Sequence, residues 1–198
     1  IGFDTDVNGA ALGEHRWGNA IGLDDFLYIT MGTGIGAGGM SGGNLIHGLI
    51  HPEIGHLLIP RLTDDTFQGT CPFHSDCWEG LCSGPAIEAR AGLPAAELDA
   101  DHDAWRKLIH YSSLALTNLI LTLSPKRIVI GGSVRKAGSL GEKLFFEKLR
   151  TATKVALADY LDSPVFKEGN LDSFILPPKL GDNAGVLGAI ALGQNALN

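Results

Sequence analysis

The chain has 198 residues, of which 44% are hydrophobic and 19% charged, with three cysteines, 27 glycines and a net charge of −7. That length buries a core without staples, and ordinary apolar and charged shares exclude a disordered, collagenous or coiled-coil chain. The acidic balance speaks against a nucleic-acid partner, no run approaches the ~18 apolar residues of a membrane span, and a low, odd cysteine count reads as a reducing, cytoplasmic protein.

In chain order, residues 1–3 read as the end of a strand, and Asp6 as the cap of a short helix over Val7–Trp17, since Asp is a favoured N-cap. Phe26–Met31, Ile35–Met40, Asn44–Ile46 and Gly55–Pro60 read as short strands with glycine-rich turns, the spacing of antiparallel pairing. Residues 61–83, with Gly69, Pro72 and all three cysteines, read as a loop or knuckle. Ser83-Gly84-Pro85 starts a helix that Gly92 stops. Trp105, Leu108, Ile109, Ser112, Leu116, Leu119, Ile120 and Leu123 share one face of a helix over 103–123, followed by Pro125. Residues 93–102 are expected to be a mobile connection. Beyond lie a strand at Arg127–Ile130, a helix over 141–158, a strand at Ser173–Leu176 and a last helix over 183–196. Antiparallel strands followed by helix–strand alternation predict an α/β fold, a mixed sheet with helices outside, of the ribonuclease-H-like kind.

Several motifs carry chemistry. GTGIG, Gly32–Gly36, lies between two strand-like runs; its glycines and Thr33 suit a phosphate cradle, although a plain hairpin turn has the same composition. CPFHSDC places Cys71, His74 and Cys77 at short spacing, with His56 upstream. Two thiolates and two imidazoles would make a closed tetrahedral zinc site of structural type, their plain alternative being three unrelated polar loop residues and a core histidine. Cys82 reads as a buried small hydrophobe. Asp6 at a helix start is either a cap or, if substrate reaches it, a general base. Glu53 in HPEIGH and Glu79 in CWEG flank the metal residues in sequence. Carboxylates fixed there suit paired sugar hydroxyls, their plain alternative being surface charge.

Together and in this order, DTDVNGAALGE, GTGIG, HGLIHPEIGH, GTCPFHSDCWEGLCSGPAI, GGSV and DNAGVLGAIALG resemble the ROK family of sugar kinases and regulators, most closely its bacterial fructokinases, whose cysteine cluster also carries a histidine. The resemblance implies the carboxy-terminal lobe of an actin- and hexokinase-like fold. Residues 1–20 would end an amino-terminal lobe, 21–182 would form the second lobe with a zinc loop at about 56–82, and 183–198 would be a carboxy-terminal helix. It implies Asp6 as general base, with Asn8, Glu53, His56 and Glu79 on sugar hydroxyls. His56 would also bind zinc together with Cys71, His74 and Cys77. Gly32, Thr33, Gly34 and Gly36 would hold ATP phosphates, and Gly131, Gly132 and Ser133 would lie against the adenosine.

Thr5 stands where family kinases carry asparagine, and Ser75 where the fructokinase version carries glycine. The implied reaction is ATP-dependent phosphorylation of a hexose, D-fructose first, with Mg2+ on the ATP and Zn2+ as a structural ion. The chain opens on Ile1 directly in a motif, without the family's first phosphate motif. It is expected to be a fragment or a truncated product, inactive by itself. Family kinases are often dimers, and helix 103–123 serves either a partner or the core, the core being favoured. The alternatives are a sugar-responsive transcription regulator of the same family and a zinc-knuckle interaction module.

Overall fold

The computed structural model describes residues 2–167 and 170–197. Five strands form one sheet in the order β3-β2-β1-β4-β5. β1 (Phe26–Met31) pairs antiparallel with β2 (Ile35–Ser41), which pairs with the two-residue β3 (Asn44–Leu45). On its other side β1 runs parallel to β4 (Ile128–Gly131), and β4 to β5 (Ile175–Leu176). The sheet is therefore mixed, as the alternation of elements predicts.

Its central strands are apolar on both faces because helices cover both. Leu27, Ile29, Met31, Ile128 and Ile130 point into the larger core, while Phe26, Tyr28 and Val129 point into a smaller one. The larger core is filled by α4 (Asp103–Leu123), which packs on α5 (Gly141–Leu157). Of the eight residues assigned to the inner face of α4, all but Leu123 are buried or nearly so. The helix ends where Ser124 turns left-handed ahead of Pro125. The smaller core lies under α1 (Asp6–Trp17), against which α6 (Ala184–Asn195) packs. The described residues contain no helix long and apolar enough to cross a membrane.

Some expectations need correction. Thr5, not Asp6, is the N-cap of α1; its hydroxyl accepts the Asn8 N–H at 3.2 Å, and Asp6 is the first helical residue. Residues 2–5 form no strand, and residue 1 lies outside the described residues. Gly55–Pro60 is no strand: Ile54–His56 forms a 3-10 turn, and only Leu58 makes an isolated bridge, to Cys77. The segment 61–83 is not all loop, because Trp78–Cys82 forms α2, capped by the Cys77 sulfur. α2 leads into α3 (Gly84–Ala91), which Ser83 caps and a left-handed Gly92 ends as expected. The remaining boundaries shift by one or two residues, as helix and strand ends commonly do.

Candidate active site and metal centre

A cleft of about 400 Å³ opens where the start of α1, the β1–β2 turn and the loop after β3 meet. Asp6, Gly32, Thr33, Gly34, Gly36, Glu53 and Glu79 all line it. The GTGIG segment forms a hairpin turn joining paired Met31 and Ile35, and it lines the cleft. The Gly32 carbonyl accepts the N–H of Gly84 at 2.7 Å, which seats the turn on the first residue of α3. Glu79, on α2, reaches across the metal loop so that Oε2 accepts the Ile35 N–H at 2.8 Å. This carboxylate passes where a side chain on residue 34 would stand, since a Cβ there would lie 2.7 Å from Glu79 Oε2. Glycine at 34 is therefore what admits Glu79 to the cleft.

A second cleft of about 380 Å³ shares Asp6, Val7 and Thr30 with the first, and Gly132, Ser133, Lys136, Tyr28 and Asp182 line its far end. Gly132 adopts the left-handed region after β4, and Gly131 beside it faces the Tyr28 hydroxyl without lining the cleft. Burial, followed by the charge of Glu14, pushes the Tyr28 hydroxyl up to about 12, so it is a neutral donor at physiological pH. Asp6 is exposed at the junction of the two clefts. Asn8 does not join them. It is fully buried against β2; Oδ1 accepts the Gly39 N–H at 3.2 Å, and Nδ2 donates to Asp4 at 2.8 Å. A residue two positions after Asp6 lies about 200° round the helix, which turns it onto the sheet.

His56, Cys71, His74 and Cys77 converge as their residue types imply, their ligand atoms all within 4.8 Å of one another. His56 Nδ1 lies 3.7 Å from Cys71 Sγ and 3.6 Å from Cys77 Sγ, and His74 Nδ1 lies 3.7 Å from Cys71 Sγ. Zn–N near 2.05 Å and Zn–S near 2.3 Å at a tetrahedral angle put sulfur and nitrogen ~3.6 Å apart, so the four residues fit zinc.

The chain brings them together by pairing Leu57–Ile59 with Asp76–Trp78, through Ile59 N–H to Asp76 O and Trp78 N–H to Leu57 O, both at 2.9 Å. Gly80 lets the loop close, for a Cβ there would stand 2.9 Å from the Cys71 Cβ. Burial works to raise the Cys71 thiol, but the N–H groups of Phe73 and His74 and the His74 ring outweigh it and hold it below its usual value. Burial pushes Cys77 up to about 11, so this second thiolate needs a cation's charge to form. Cys82 is fully buried, as expected of a small hydrophobe. With Nδ1 turned to the sulfurs, His56 directs Nε2 toward Glu79 Oε1, 4.0 Å away, on the cleft side.

Sequence reasoning passed over His51, which lines the first cleft and holds Glu53 Oε1 at 2.8 Å through Nε2. It stands inside the HPEIGH motif, but a pair two residues apart is legible only once the loop's course is known.

Residues 1–196 match the ROK family. Over 100% of its length the chain is 47% identical to a Bacillus subtilis protein provisionally named as a fructokinase and 40% identical to the fructokinase of Zymomonas mobilis. It spans 64% of the length of both these curated relatives. Among solved structures, the ROK hexokinase from Thermus thermophilus superposes with a TM-score of 0.75 at 28% identity, over 98% of this chain and 65% of that one. A ROK family glucokinase from Streptomyces griseus, in complex with glucose and AMPPNP, gives 0.69 at 26% identity, over 97% and 67%. The mixed sheet with flanking helices is the actin- and hexokinase-like fold of these sugar kinases, and the chain belongs to the ROK family.

Proposed function

We propose that the intact protein transfers the γ-phosphoryl group of ATP to the 6-hydroxyl of a hexose, D-fructose foremost. One observation carries the reading: Glu53, Glu79 and Gly32–Gly36 line one cleft, Gly132 and Ser133 line another, and the exposed carboxylate of Asp6 lines both. In this reading the hexose occupies the cleft walled by Glu53 and Glu79, with His56 Nε2 beside it. The nucleotide lies along Gly32–Gly36 and Gly132–Ser133, with the adenosine towards Tyr28. Asp6 accepts the proton of the 6-hydroxyl as its oxygen bonds to the γ-phosphorus and the bond to ADP breaks. Phosphoryl transfer makes little covalent demand on a protein, so positioning and electrostatics dominate. Backbone N–H groups of the glycine turn supply positive dipoles without a basic patch, in keeping with an acidic chain. ATP enters as its magnesium complex.

The four metal residues would hold a structural zinc ion, whose contribution is to fix the loop and the ring orientation of His56. Glu79 follows Cys77 by two positions, so the same fixation steadies a sugar-binding carboxylate. Fructose is favoured over other hexoses because curated relatives with fructokinase names match at 33–47% identity, against 25–32% for those named glucokinase. The lobe division at about residues 20 and 182 belongs to the same reading.

The test is Asp6→Asn in the full-length enzyme, assayed with fructose, glucose and mannose. A loss of roughly 10²–10⁴ in kcat is expected for removal of a general base. A kcat within about threefold of the parent refutes the base, and turnover of glucose in preference to fructose refutes the substrate assignment.

A further inference from the structure

We infer that Glu14 is a positioning residue for the nucleotide end of the cleft, acting through the backbone of the loop before α6. The inference rests on the phosphotransfer reading above. Glu14 is fully buried on α1 and, among the described residues, pairs with no lysine, arginine or histidine. Burying a carboxylate without partners is costly. Here Oε1 accepts the Leu180 N–H at 2.8 Å, and Oε2 accepts the N–H groups of Asn19 at 2.6 Å and Lys179 at 3.3 Å. One side chain therefore ties the turn after α1 to a segment about 160 residues further along the chain. Asn19 adds to the tie by donating from Nδ2 to the Pro177 carbonyl at 2.9 Å.

The two residues that follow Leu180 are Gly181 and Asp182, and both line the second cleft. Asp182 accepts Lys136 Nζ at 2.7 and 2.9 Å, and Lys136 sits on the turn that follows Gly132 and Ser133. The Asp182–Lys136 pair joins the two loops that wall this cleft. Its acidic partner stands on a segment whose N–H groups are fixed by Glu14. Glu14 itself lines neither cleft, so it acts through Leu180 and Lys179 rather than by touching a ligand. A carboxylate suits this place because it only accepts, whereas a carboxamide turns a donor toward one of the three N–H groups.

The experiment uses full-length protein and compares wild type with Glu14→Gln and Asp182→Ala. Binding of ATP is read by calorimetry, and KM for ATP and for fructose by turnover. Glu14→Gln is expected to weaken ATP binding and raise KM for ATP about tenfold, with KM for fructose within about twofold. Asp182→Ala is expected to move ATP binding the same way, and the double variant to fall short of the product of the two effects, since coupled sites are not additive. A Glu14→Gln protein that is less stable yet binds ATP within about twofold of wild type overturns the inference, because a purely structural role predicts that pattern. If Glu14→Gln does not fold, Asp182→Ala decides: unchanged ATP binding overturns the inference. Wild-type protein that binds no ATP overturns it together with the phosphotransfer reading, and is recognised because the parent itself fails.

Discussion

Asp65 stands where the chain enters the metal loop, and it is the charged group on which acid stability should depend most clearly. Its side chain is 2% exposed. Oδ1 accepts Arg90 Nη1 at 2.6 Å and the Phe67 N–H at 3.3 Å, and Oδ2 accepts the Tyr111 hydroxyl at 2.6 Å. Burial works to raise this carboxyl, but Arg90 and Tyr111 outweigh it and bring it from 3.8 to about 2. At ~1.4 kcal/mol per unit, that depression corresponds to about 2 kcal/mol of stability. The folded value lies below the unfolded one, so this stability is fully present above pH ~4 and is lost as pH falls toward ~2.

Asp65→Asn keeps the shape and removes the charge, leaving Arg90 buried beside a neutral amide. Breaking a buried pair outright costs ~3–5 kcal/mol, and the amide oxygen retains part of the bonding, so about 2–3 kcal/mol at pH 7 is expected. For a chain of this size that is a fall of roughly 4–12 °C in Tm. Urea unfolding of both proteins at neutral pH and through the range from ~5 to ~2.5 measures it, and the gap between them should close toward the acid end. A gap under ~0.5 kcal/mol at pH 7, or one that stays constant into acid, would refute the reasoning.

Two further outcomes concern the site itself. Metal analysis of the purified protein should find about one zinc per chain, with Cys71→Ser losing both the ion and sugar affinity; a folded, metal-free wild type refutes the centre. Gly34→Ala should raise KM for the hexose about tenfold, because the new Cβ would press on Glu79 Oε2 from 2.7 Å and displace that carboxylate. A KM for the hexose within about twofold of the parent would show that Glu79 holds its place by other means.

Patterns with a short range were legible. The bounds of α4 follow from its periodicity, the Ser83 cap and Gly92 stop of α3 from their residue types, and the β1–β2 hairpin from apolar runs around glycines. The convergence of His56, Cys71, His74 and Cys77 is legible because thiolates and imidazoles at such spacing have few other common uses. What escaped lacked a distinct short-range signal of its own. Thr5 and Asp6 are both good caps by type, and the course of the chain before α1 makes Thr5 the one. The apolar run at Gly55–Pro60 reads as a strand, but among the described residues it makes one isolated bridge, Leu58 to Cys77, and its first residues are taken up in the 3-10 turn Ile54–His56. α2 was hidden among loop residues, since five positions are too few for a helical period to show.

The polar residues of DTDVNGAALGE show the division most plainly. The sequence by itself determined the chemistry available: a carboxylate at a helix start, an amide two positions on, a second carboxylate two turns later. Only packing decided their duties. Asp6 faces the clefts, Asn8 is spent on the backbone of β2, and Glu14 is spent on a loop about 160 residues away. Side-chain type and spacing are fixed by neighbours along the chain. Whether a polar group meets solvent, ligand or another backbone is fixed by which helix lies on which strand, and that comes from burial summed over the whole core.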